Sequence, residues 1–166
     1  MAFKLILILL LSSSLTIPDG VTVVNDFEAT RYLGTWYEVA RLEQPYEKGL
    51  VDISARYSQR DDGGINVVNQ GRNLKTGQWQ QIQGKAYLVS EARMGQLKVS
   101  FFGPFYAAYN IIALDKQNYS YAMVAGANKE NLWILSRTAS LSPELLKNLL
   151  EQAKQLGFKT DNMIFS

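Results

Sequence analysis

Cysteine and histidine are both absent from this 166-residue chain. Without cysteine there is no disulfide, no thiol nucleophile and no zinc–thiolate centre. Without histidine there is no Ser-His-Asp triad, no imidazole base and no histidine-held haem. An excess of one charge is lacking too, since 17 Lys and Arg against 15 Asp and Glu leave a formal net charge of +2. Nucleic-acid binders carry a concentrated basic footprint, so the reading includes no nucleic-acid partner. The enzyme chemistry that remains would run on carboxylate, Lys or Tyr, and no paired acid and base stands out. The expectation is a binding protein and not an enzyme, with no cofactor and no metal.

Long apolar runs are missing as well. The longest, Leu5 to Leu11, follows Lys4 and precedes Ser12-Ser13-Ser14. It is too short for a membrane span of ~20 residues and has the layout of a secretory signal over 1–14. Leu11-Ser12-Ser13-Ser14 follows the outline of a lipoprotein signal with Ser where the acylated Cys would stand. The expected location is therefore outside the cytoplasm, with no lipid anchor at Ser14. Residues 15–25 read as an extended lead-in, and 26–166 as one domain.

What the chain does have is a series of short β-like runs between turn signals. Asp61-Asp62-Gly63-Gly64, Lys75-Thr76-Gly77, Glu91 to Gly95, Gly103-Pro104, Lys116-Gln117-Asn118 and Asn128-Lys129-Glu130 interrupt it. They delimit eight predicted strands near 35–43, 50–60, 65–73, 78–89, 96–102, 106–115, 119–126 and 131–138. Strands at hairpin spacing suggest an all-β fold, an up-and-down antiparallel barrel or a sandwich. The second strand alternates Val51, Ile53, Ala55 and Tyr57 with Asp52, Ser54, Arg56 and Ser58, and the fifth sets Leu97, Val99 and Phe101 against Lys98 and Ser100. Those are half-buried strands. The sixth (Tyr109, Ile111, Ala113 with Ile112, Leu114) and eighth (Trp133, Leu135 with Leu132, Ile134) are apolar on both faces and need a cover. One helix over 142–157 supplies it. Ser142 caps it, Pro143 opens it and Gly157 ends it, with Leu145, Leu146, Leu149, Leu150, Ala153 and Leu156 on one face.

Tyr32-Leu33-Gly34-Thr35-Trp36-Tyr37-Glu38 at the first strand and Trp133-Ile134-Leu135-Ser136-Arg137-Thr138 at the last resemble the lipocalin signature. Arg60 to Gly64 and Lys98-Val99-Ser100-Phe101-Phe102-Gly103-Pro104-Phe105-Tyr106 extend the likeness to the bacterial lipocalins, outer-membrane lipoproteins with apolipoprotein D as an animal relative. The resemblance runs from about residue 20 to the C-terminus. It implies an eight-stranded closed barrel with a C-terminal helix outside. Gly34, Trp36 and Arg137 would then be the structural signature of the closed end, with the guanidinium stacked on the indole. It also implies a ligand class, fatty acids or lysophospholipids, a role in maintaining the cell envelope, and a place in the periplasm or against the outer membrane.

In such a barrel the first strand starts at the closed end, and loops 44–50, 73–78, 103–107 and 126–131 ring the mouth. Strict alternation from an inward Trp36 places Glu38 and Ala40 inside. The ligand-binding set expected from alternation is Ala40, Ile53, Ala55, Tyr57, Asn69, Val99, Phe101, Tyr109, Ile111, Trp133 and Leu135, with Ile82, Gly84, Ala86, Ala122 and Val124 also inward. Ile53, Val99 and Leu135 could equally fill the closed end. Glu38 would partner Arg137 or another basic group, or lie near a ligand head group. Asn69, Tyr57 and Tyr109 offer polar contacts to a ligand. The Phe101–Tyr106 cluster has two readings, a grip on a projecting ligand or a homodimer contact through the mouth loops. The alternative function is a structural or chaperone-like envelope barrel with a self-filled core.

Overall fold

The computed structural model describes residues 15–90 and 92–166. The expected export segment 1–14, and Glu91 in the fourth turn, lie outside the described residues. A short helix α1 (Ala29–Tyr32) leads into eight strands: β1 (Gly34–Leu42), β2 (Leu50–Gln59), β3 (Ile65–Asn73), β4 (Trp79–Leu88), β5 (Gln96–Phe102), β6 (Phe105–Leu114), β7 (Tyr121–Ala125) and β8 (Leu132–Ser136). Helix α2 (Pro143–Gln155), a 3₁₀ turn (Thr160–Asn162) and a short β9 (Met163–Phe165) complete the chain. Each strand pairs antiparallel with the next, and β1 pairs with both β8 and β2, so the sheet closes into a barrel.

The turns form for local reasons. Gly63 adopts φ +87, Asp62 accepts from the Gly64 N–H, and Arg60 N–H bonds Gly64 O, which together fix the β2–β3 hairpin. Ser142 Oγ accepts from Leu145 N–H at 3.2 Å with Pro143 at the first turn of α2. At the other end Gly157 has φ +93, and Phe158 N–H closes on Ala153 O. The apolar face of α2 (Leu145, Leu146, Leu149, Leu150, Ala153) packs with Leu132, Ile134, Met123, Ile112 and Ala113 on the outside of β6–β8. The cover expected for those two-faced strands is this helix.

Four register shifts interrupt the strand pairing, one of them between Val99 and Phe102 where β5 meets β6. In β1, Glu38 pairs with Leu135 and Ala40 with Ile134, so Val39 is an extra residue. Val39 and Ala40 both join the outer cluster under α2, and Arg41, opposite the inward Trp133, turns into the barrel instead. The expectation that Ala40 lines the interior is corrected on this ground: strict alternation fails where one strand carries one residue more than its partner. In β6, Ile112 is likewise extra, which sends Ala113 outward and Leu114 inward. In β2 the register shifts between Val51 and Ser54, where Asp52 has φ +53 and pairs with Arg72. Beyond its bulge β1 no longer pairs with β2, and its free edge takes up β9 through Ala40↔Phe165, Arg41↔Ile164 and Leu42↔Met163.

Candidate ligand cavity

The closed end is built first. Trp36 is fully buried, and its indole N–H donates to Tyr32 O at 2.8 Å. The Arg137 guanidinium lies 3.9 Å from the indole ring centroid. Its N–H groups donate to the carbonyls of Tyr119, Thr35 and Arg31, tying β8, β1 and α1 together. Gly34 sits at φ +103, and a Cβ there would stand 3.2 Å from Arg137 Nη1. Glu38 is not the partner of Arg137; it pairs with Arg41. Phe27 and Tyr32 close the plug from below, edge to face at 5.3 Å.

Above this plug three phenols span the barrel. Tyr109 Oη lies 2.7 Å from Tyr32 Oη and 3.0 Å from Tyr57 Oη, so β6 and β2 touch across the axis. Burial raises all three pKa values, that of Tyr57 to about 12, and keeps the hydroxyls protonated. Around the same level Ile65, Val67, Ala86, Leu97, Ile111, Ala122, Val124 and Leu135 are buried. Tyr57 and Tyr109 therefore belong to the floor, and each already contacts another phenol.

Toward the mouth the burial changes. Ile53, Ala55, Asn69, Ile82, Gly84, Val99, Phe101, Ala107 and Trp133 have the inward register and are only half-buried. A Cβ on Gly84 would stand 2.5 Å from Ser100 O and 2.7 Å from Phe101 Cδ1, so only glycine lets β5 and the Phe101 ring come this close. Asn69 Oδ1 is buried with no donor among the described residues.

One side of the mouth is charged. Arg41, Glu38 and Glu47 have side chains 4%, 5% and 9% exposed. Arg41 Nη1 donates to Glu38 Oε1 at 2.9 Å, and Nη2 reaches Glu43 Oε1 at 3.1 Å and the carbonyls of Glu47 and Leu50. Where β1 and β2 have stopped pairing, this guanidinium bridges them. Glu47 Oε1 accepts from the Trp133 indole at 2.9 Å, and its Oε2, 3.9 Å from Arg41 Nε, is buried with no hydrogen bond from the described residues. Burial, then the neighbouring Glu47, push the Glu38 carboxyl well above the usual range. Burial and the same carboxylates raise the Tyr46 phenol. Two buried carboxylates thus share one buried cation, which favours the protonated form of Glu38.

Sequence reasoning missed Arg41, Glu47, Tyr46 and the floor role of Tyr32. Arg41 did carry a signal, a lone charge between Ala40 and Leu42 three residues after Glu38. The bulge that turns it inward has no local marker.

The lipocalin-like domain family matches residues 27–166. The outer membrane lipoprotein Blc of Escherichia coli (strain K12) is 52% identical over 153 residues, 92% of this chain and 86% of that protein. Its namesake in Vibrio cholerae is 47% identical over 163 residues, 98% of this chain and 95% of that protein. Apolipoprotein D of Macaca fascicularis is 35% identical over 137 residues, 77% and 71% of the two chains. Among solved structures, insecticyanin of the tobacco hornworm Manduca sexta superposes with a TM-score of 0.73 at 21% identity, covering 91% of this chain and 86% of that one. That last likeness is one of fold.

Proposed function

Because the chain belongs to the lipocalin family, we propose that it carries a long apolar molecule, a fatty acid or lysophospholipid, in the mouth half of its barrel for upkeep of the cell envelope. The observation that carries this reading is the burial gradient. Inward Ile53, Ala55, Ile82, Val99, Phe101 and Trp133 are half-buried, while the inward residues below them are buried. Apolar surface that faces a closed barrel yet is left uncovered by protein is surface for a ligand to cover. An acyl chain that buries ~10 methylenes there gains about 8 kcal/mol before ordering costs, enough for micromolar binding.

Delipidated protein titrated with a fluorescent fatty acid tests it. One saturable site per chain is expected, and absence of binding would favour the self-filled structural barrel. Leu74, Trp79 and Phe105 stand exposed on the mouth rim, which supports a contact surface there, either a homodimer or a peripheral hold on the outer membrane. Sedimentation with and without anionic vesicles separates the two. We further propose that the mature protein is exported and, with Ser14 in place of an acylated Cys, stays soluble in the envelope. Mass spectrometry of the mature chain showing an attached lipid would overturn this.

A further inference from the structure

The barrel floor holds one proton more than its hydrogen bonds use. Tyr32, Tyr109 and Tyr57 form a linear chain of hydroxyls with Tyr109 in the middle. Three protonated phenols bring three O–H groups to two contacts, so one O–H has no acceptor among the described residues. Its place follows from burial. Tyr32 and Tyr57 are buried and stacked at 5.6 Å, and among the described residues neither hydroxyl has a hydrogen-bond partner besides Tyr109. Tyr109 alone of the three is only partly buried, one inward step below the half-buried Ala107 on β6. The arrangement that strands no buried donor has Tyr32 and Tyr57 both donating to Tyr109, which turns its own O–H up into the cavity.

A complementary acceptor stands one step higher. Asn69 pairs with Ala55, the inward pair next above Tyr57↔Val67, roughly 7 Å up the strand. Its Oδ1 is buried and receives no hydrogen bond from the described residues. A donor and an acceptor thus stand at inward register positions on different walls, with Ala55, Ile82 and Val99 at neighbouring inward positions.

We propose that the barrel floor is a polar subsite for a hydroxyl group carried on the inner end of a long apolar ligand. The hydroxyl oxygen accepts from Tyr109 Oη, and its proton goes to Asn69 Oδ1. A methyl end satisfies neither group, a carboxylate has no proton for Asn69, and an ammonium has no acceptor for Tyr109. This inference rests on the proposal that the barrel holds an acyl chain.

The test compares hexadecanoic acid with its ω-hydroxy derivative on the delipidated full chain. Burying an unpartnered hydroxyl in an apolar pocket costs about tenfold or more in affinity. With the subsite, the ω-hydroxy acid binds at least as tightly as the plain acid. Tyr109→Phe should then make it about tenfold weaker than the plain acid, and Asn69→Ala should shift the ratio the same way if Tyr109→Phe does not fold. Tyr119→Phe, which removes a buried plug hydroxyl that accepts from Glu28 N–H outside the floor chain, should keep the wild-type ratio. A tenfold weaker ω-hydroxy acid in the wild type, or equal shifts in the Tyr119 and Tyr109 variants, overturns the proposal. If the plain acid binds and the preference is missing, only this inference falls. If neither acid binds, the cavity reading falls with it.

Discussion

The two halves of one barrel are built on opposite principles. The closed half is filled by aromatic rings and aliphatic side chains, and its polar contacts are internal: indole to carbonyl, guanidinium to three carbonyls, and phenol to phenol with one O–H left over. The mouth half leaves apolar side chains partly uncovered and gathers carboxylates around one guanidinium where two strands have parted. Both halves come from the same strands, whose alternation is reset only at the bulges. Side-chain size decides between them, Tyr57, Tyr109 and Trp36 below against Ala55, Ala107 and Gly84 above. A site for a ligand is the part of a barrel that its own sequence does not fill.

The largest effect expected is at the plug. Trp36→Ala removes a fully buried indole and strands the Arg137 guanidinium, and should cost ~3–5 kcal/mol in denaturant unfolding. Unchanged stability would mean the closed half does not hold the fold.

The charged mouth comes next. Arg41→Ala leaves Glu38 and Glu47 buried without their cation and should cost about 3 kcal/mol at neutral pH. The loss should shrink in acid, where the carboxyls take up protons. An equal loss at all pH values would show that the guanidinium acts by packing alone.

Packing distinguishes the halves directly. Ala86→Trp, in the filled half, should cost about 3 kcal/mol, whereas Ala107→Trp, one inward step above Tyr109, should cost under about 1 kcal/mol and block the fluorescent fatty acid. Equal costs would erase the comparison.

The smallest effect concerns pH. The folded-state pKa of Glu38 is raised above its unfolded value, so its contribution is fully present below about pH 4.3 and is lost as pH rises through the folded value. Glu38→Gln mimics the protonated form and should gain stability relative to wild type as pH climbs through that window. Thermal melts of the two proteins across pH check the sign. A constant difference would mean that Glu38 stays charged beside Arg41. Asp62, held low by Tyr87 and Arg60 on the surface, acts in both proteins and cancels from the comparison.

Much of this was legible in the residues. Strand spacing, the turn residues and the caps of α2 act locally, so eight strands and a covering helix could be read before any contact was known. Period-two alternation likewise sorted Ile53, Ala55, Tyr57, Val99, Phe101, Tyr109, Trp133 and Leu135 to the inner face, because in an unbroken strand the side of each residue follows from its parity. Parity survives only as far as the register does. Val39 and Ile112 are bulged residues with nothing in their neighbourhood to announce it, since a bulge depends on how one strand's length fits its partner's. Only the closed barrel decided that Ala40 faces the helix, that Arg41 faces the cavity, and that Tyr57 and Tyr109 meet across the axis. Those are relations between strands far apart in the chain, fixed by closure and register, and no local pattern of residues contains them.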